Sequence, residues 1–257
     1  MGYWEDRFLL QQKNMADLAF DDMMKLIRKA YYEAQYRTKG DALALYTFLY
    51  DNKNKNIILS DLYKYSRYYE ITNEINKHLV ALGGTEVKIF DGALLKMYKD
   101  VQKELDKAPT PVSNSLVSDE RAREVINSVW CADGKSWSSR IWTNTDKLKD
   151  KLTSGIIDSI TRGTGVKGVS DMLQREFSVS YNQAKTLANT EVSRVSVQSQ
   201  LDRYSASGYD TVVWNITPGT ETCEDCEAMN GLEFPILTAP TIPAHPNCRC
   251  LYLPKEV

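Results

Sequence analysis

The sequence predicts a mainly α-helical protein that closes in a small α+β unit at its C-terminus. Three observations predict it. Apolar residues recur at steps of three and four through most of the first two hundred positions. Past Gly208 the texture turns β-branched and aromatic, as in Tyr209-Asp-Thr-Val-Val-Trp-Asn-Ile-Thr217. Four of the five cysteines and one of the two histidines then fall between Cys223 and Cys250.

The helices read in order. Met15, Leu18, Ala19, Met23, Leu26, Ile27, Ala30, Tyr31 and Ala34 mark one buried stripe. Gly40 is expected to end that helix and Asp41 to cap a short one through Leu49. Asp51 to Asn56 reads as a polar turn. Ser60 is expected to cap a long helix that Gly83-Gly84 stops, with a further helix from about Gly92 to Lys107. The two prolines of Ala108-Pro-Thr-Pro-Val-Ser-Asn-Ser115 forbid helix, which places a linker at 109–117. The expected organisation is a helical N-terminal domain over 1–108 and a second domain over 118–257. In the latter, helices are expected from the Ser118 cap to Trp130 and from Ser138 to Ile160. A glycine turn at 162–168 should lead to a short helix, Val169 to Phe177, and then a long one from a Ser180 cap to Tyr204. Leu232 to Leu237 and Leu251 to Leu253 are short strand candidates.

Bulk charge is nearly balanced, 32 basic against 34 acidic residues. It therefore lends no support to a nucleic-acid partner. No apolar run reaches the roughly 20 residues that span a bilayer, so no membrane partner is expected. The N-terminus lacks signal-peptide order, and a reducing cytoplasm is expected for synthesis. Cysteines clustered there are metal ligands more often than disulfides. Cys131 stands apart from the rest and reads as a packed residue.

Cys223-Glu-Asp-Cys226 and His245-Pro-Asn-Cys248-Arg-Cys250 supply five donors for one tetrahedral ion. Two residues between cysteines let both thiolates turn onto the same ion. The intervening segment is short and proline-rich, so a structural Zn2+ would help hold it folded. Cys223 and Cys226 are the firmest ligands. Cys248 and Cys250 compete for the fourth position beside His245, with Cys250 favoured. A redox CxxC would open a helix within a βαβ unit, a pattern the sequence does not show. Between Gly208 and Val257 two basic residues face seven acidic ones, so this unit is not expected to bind DNA through charge.

From about Gly165 onward the chain resembles the phage Mu protein F-like minor head proteins, the phage head morphogenesis family. The resemblance rests on an ordered set. It comprises the glycine turn and amphipathic helix, Thr190-Glu191-Val192-Ser193-Arg194, Gly208, Trp214, the CxxC, Asn230-Gly231-Leu232-Glu233-Phe234 and the Pro243-Ala-His-Pro-Asn-Cys-Arg-Cys250 ending. Tyr3-Trp4-Glu5-Asp6-Arg7 is similar to the opening of such proteins in phages of Gram-positive bacteria. Asn189 departs from the pattern at a position that is often basic. The resemblance implies a minor capsid protein of a tailed phage, associated with the portal vertex inside the virion. It implies roles in procapsid assembly and in DNA packaging or ejection. Portal protein, scaffold and major capsid protein are the implied partners. Glu191 and Arg194, three apart on a helix face, are expected to pin that helix to the zinc unit rather than to catalyse. No paired carboxylates or triad can be read from the sequence, and no enzyme activity is expected. The alternative is a metal-dependent nuclease, suggested by His245-Pro-Asn247.

Overall fold

A computed structural model of the 257-residue chain describes residues 3–51, 66–106, 118–217 and 222–255. It is mainly helical, with α1 (Tyr3–Asp51), α2 (Ser66–Leu105), α3 (Asp119–Asn127), α4 (Trp137–Thr161) and α5 (Gly165–Ala206). The C-terminal part adds β1 (Thr211–Asn215), a short α6 (Glu224–Met229), β2 (Glu233–Pro235) and β3 (Leu251–Pro254). The three strands form an antiparallel sheet in the order β2-β1-β3. The expected mainly α architecture with a small C-terminal sheet is therefore present. Among the described residues no helix is long and apolar enough to cross a membrane.

The helices are longer than the glycine and serine signals suggest. Gly40 lies inside α1 and Gly83-Gly84 inside α2, so neither stops its helix. The reason is a buried stripe that passes through both. In α2 it runs Ile71, Ile75, Leu79, Leu82, Phe90, Leu94 and Met97. A glycine costs about 1 kcal/mol in a helix interior, and burying a single large apolar side chain recovers more. Gly83 also has a packing role. A Cβ there would stand 2.8 Å from the Trp142 ring, so only glycine lets α4 approach this closely. Likewise α5 is continuous, and Ser180 is a buried interior residue rather than a cap. At Ser118 the expected cap is present, its hydroxyl accepting from the Arg121 amide at 3.2 Å. The expected Ser60 cap and the 109–117 linker lie outside the described residues.

Compactness groups the chain differently from a boundary drawn at residue 108. One unit gathers residues 1–24, 90–137 and 186–257, and a second gathers 25–89 and 138–185. The first unit buries Leu94, Val101, Trp137, Val192, Val195, Trp214 and Tyr252 among others. The second buries Ile27, Leu45, Ile75, Leu79, Leu152 and Phe177.

Within the first unit, α5 ends where Gly208 takes φ +84 and the Tyr209 amide donates back to the Tyr204 carbonyl at 3.1 Å. That turn aims β1 so that Trp214 is buried and meets the Tyr252 ring edge-on at 5.6 Å. The Asn230-Gly231-Leu232 stretch closes the other edge of β1. The Gly231 amide donates to the Trp214 carbonyl at 2.8 Å, and the Trp214 amide to the Leu232 carbonyl at 2.9 Å. Gly231 does this at φ +82, which explains a glycine at that point.

Candidate metal centre

The CxxC sits at the start of α6. Cys223 is its N-cap residue, the Glu227 amide donates to the Cys223 carbonyl at 3.0 Å, and Cys226 is buried. One tight helical turn thus presents both sulfurs on the same side. That the CxxC opens a helix differs from the sequence reading. The surrounding sheet is antiparallel, so no parallel βαβ unit surrounds it.

The second knuckle is a turn in which the Cys248 amide donates to the His245 carbonyl at 3.1 Å and Asn247 adopts φ 63. Asparagine tolerates that left-handed backbone better than most residues. The imidazole Nδ1 lies 3.0 Å from the Pro246 carbonyl, a contact that puts the proton on Nδ1. Nε2 then presents a lone pair, 3.3 Å from both Cys223 Sγ and Cys226 Sγ. Cys226 Sγ is in turn 3.8 Å from Cys248 Sγ. Two triplets of donors close up, Cys223–Cys226–His245 and Cys226–Cys248–Cys250, sharing Cys226. All five residues expected at the site are brought together, and the cluster could hold a metal ion.

The spacing fits a small soft dication. A tetrahedral ion with sulfur ligands at about 2.3 Å needs sulfur–sulfur edges of about 3.8 Å, and with nitrogen at about 2.0 Å mixed edges of about 3.5 Å. The observed 3.8 Å and 3.3 Å edges lie near these values. The thiols are unevenly poised. Hydrogen bonding from the Cys250 thiol, helped by the Cys250 and Ala244 backbone, holds Cys248 down to about 5. Burial pushes Cys226 up to about 12. Cys250 is also pushed up, first because it donates to Cys248 and then by burial. Metal binding requires deprotonated thiols, so a dication held here would favour thiolate at each ligating sulfur.

The cluster is fastened to its surroundings through the residues beside its ligands. The Asn247 amide donates to Thr190 Oγ1 at 3.2 Å, and Asn189 Nδ2 donates to Asn247 Oδ1 at 2.9 Å. Arg249, between the last two cysteines, donates to Asp17 Oδ1 at 2.7 Å and lies over the Phe20 ring at 5.9 Å. The knuckle is therefore held by α5 on one side and by the first part of α1 on the other.

Glu191 and Arg194 do not do this. They form a buried ion pair at 2.7 Å, with Glu191 1% and Arg194 4% exposed. Arg194 donates to the Val125 and Ile126 carbonyls at 2.8 and 3.0 Å and to Ser128 Oγ at 3.2 Å. Trp130 Nε1 donates to Glu191 Oε1 at 3.0 Å, and the Arg194 guanidinium lies 5.9 Å from the centre of the Trp130 ring. The pair bonds carbonyls at the end of α3, alongside Ser128 and Trp137, so it pins α5 to α3 and not to the Cys/His unit. Sequence alone does not reveal this, because the partners lie more than sixty residues away. Nor does it reveal the role of Thr190 and Asn189, although they adjoin the pair, since their partner Asn247 is visible in sequence only as a spacer.

These features define a helical protein whose C-terminal sheet carries a cysteine- and histidine-rich knuckle pair braced on a long helix. Residues 150–253 match the family model described as phage Mu protein F like protein. Over those residues the chain is similar to phage Mu protein F like proteins, in keeping with the ordered motifs, and that likeness suggests phage head morphogenesis. No curated protein and no solved structure matches the chain.

Proposed function

We propose that the protein is a structural component of a tailed-phage head in which the Cys/His cluster holds one Zn2+ that fixes the C-terminal sheet. The observation that carries this reading is the closed donor set braced on α5, inside the segment that matches the family. The metal's contribution is to lock two knuckles that bury too little apolar surface to hold themselves. Cys223, Cys226 and His245 supply three donors, and the short Cys226–Cys248 edge supports Cys248 as the fourth, with Cys250 the alternative. The protein would sit inside the capsid at the portal vertex, bind the portal protein, with scaffold or major capsid protein as further partners, and act in procapsid assembly and in DNA packaging or ejection.

The nuclease alternative needs His245 to reach a substrate, whereas its Nε2 faces two cysteine sulfurs. The non-enzymatic reading is therefore the better supported. Co-expression with the portal protein tests it. Co-purification at fixed stoichiometry is expected, along with recovery of the protein in procapsids. A protein absent from heads that nicks plasmid DNA would contradict it.

A further inference from the structure

The near-balanced charge of the whole chain hides a separation that only the three-dimensional grouping shows. Residues 25–89 and 138–185, the second compact unit, carry 19 Lys and Arg against 12 Asp and Glu, a formal +7. The remaining residues carry 13 against 22, a formal −9. The basic excess is also unspent. Lys29, Arg37 and Lys39 on α1, and Lys147, Lys149 and Lys151 on α4, have no ion-pair partner among the described residues.

One face of α1 concentrates the effect. Lys25, Lys29, Tyr32, Tyr36 and Lys39 fall at steps of four, three, four and three, so they share a stripe. The stripe lies opposite Ile27, Tyr31, Ala34 and Thr38, which are buried. It is about 21 Å long at 1.5 Å per residue. Tyr32 and Tyr36 are 68% and 71% exposed, one turn apart, and make no hydrogen bond or ring contact among the described residues. Bare tyrosines cost apolar hydration, and flanked by lysines they form an aromatic–basic strip.

We infer that this face of α1, within the second unit, contacts the phosphodiester backbone of a nucleic acid. The lysines would neutralise phosphates, while Tyr32 and Tyr36 would stack on bases or donate to phosphate oxygens. An acidic protein segment is the competing ligand. An excess of cations spread over α1 and α4 suits an extended polyanion better than a short peptide, which needs one local patch.

The test titrates the full-length protein against a fluorescent DNA duplex, the matching single strand and poly-glutamate of equal charge, at several salt concentrations. Binding to at least one of the nucleic acids, weakening steeply with salt, is expected. In K29Q/K39Q the affinity should fall, and the log–log salt slope should drop by up to about 2 for duplex, near 0.9 for each phosphate that is no longer neutralised. Y32S/Y36S should weaken the single strand more than the duplex if the rings stack on bases. K135Q, in the first unit, should bind like the unaltered chain. These substitutions are all on exposed side chains, and an unchanged thermal melt confirms that the fold is kept. No nucleic-acid binding at about 50 mM salt would overturn the inference. So would a K29Q/K39Q variant that binds as before, or poly-glutamate bound as tightly as DNA, which would assign the face to an acidic protein.

Discussion

Thr190 Oγ1 is the acceptor that receives the Asn247 amide, and together with the Asn189–Asn247 side-chain bond it ties the second knuckle to α5. In Thr190→Val that N–H is left without its partner, which should cost about 1–3 kcal/mol and lower the melting temperature of the first unit by several degrees. The Glu191–Arg194 pair should behave differently. Glu191→Gln leaves a buried guanidinium without its counter-charge, and a destabilisation of about 3–5 kcal/mol is expected in denaturant titrations. Glu191→Leu with Arg194→Met together should destabilise by less than the sum of the two single changes, because no charge is left stranded. Additivity would show that the pair is not coupled.

Glu86 offers a pH test at the same scale. It is buried, accepts from the Tyr31 hydroxyl at 3.3 Å, and burial pushes it up from the usual carboxylate range to about 7. Asn144 Nδ2 and the Ser180 backbone complete this polar cluster in the second unit. The folded state then holds a proton that the unfolded chain has released between about pH 4.5 and 7. The contribution of this group to stability falls as pH rises through that window. Glu86→Gln should remove the dependence, being neutral to slightly destabilising at pH 5 and stabilising at pH 8 by an amount of order 1–3 kcal/mol. Parallel stability–pH curves for the two proteins would contradict it.

Elements show which signals dominate. Helical periodicity marks helix in each long helix among the described residues, because steps of three and four are enforced by the core, though α1, α2 and α5 are each read as two segments. Punctuation by single residues misleads. Gly40, Gly83-Gly84 and Ser180 mark ends in isolation, yet each lies inside a continuous helix whose neighbouring turns are buried. Adjacent glycines should respond in opposite directions. Gly83→Ala would press a methyl into the Trp142 ring and destabilise the protein, whereas Gly84→Ala meets nothing within 4 Å and should gain about 0.4–1 kcal/mol. Equal effects in thermal melts would mean that Gly83 has no packing role. The three strands are readable from composition, although the expected Leu232 to Leu237 strand is only Glu233–Pro235. Their order, with β1 in the middle, is not, because a pairing partner leaves no local trace.

At the scale of the whole molecule, sequence order and spatial order diverge. The Cys/His cluster is legible as a set because both knuckles keep their spacing within about thirty residues. Its bracing is not, since Thr190 and Asp17 come from distant parts of the chain. Charge is the least legible property, because segments that are far apart in sequence share a unit and sum to opposite signs. If the C-terminal sheet depends on the ion, its ligands should matter together. Cys226→Ser, at the donor shared by both triplets, should abolish metal retention. Cys131→Ser, remote in sequence, should leave it intact.

The most direct test of the proposed zinc centre is metal analysis of the purified full-length protein, paired with a thermal melt before and after a strong chelator. One zinc per chain is predicted, with a melting transition that drops by many degrees once the metal is removed and returns when zinc is restored. A protein that carries no metal, or melts identically in chelator, would contradict it.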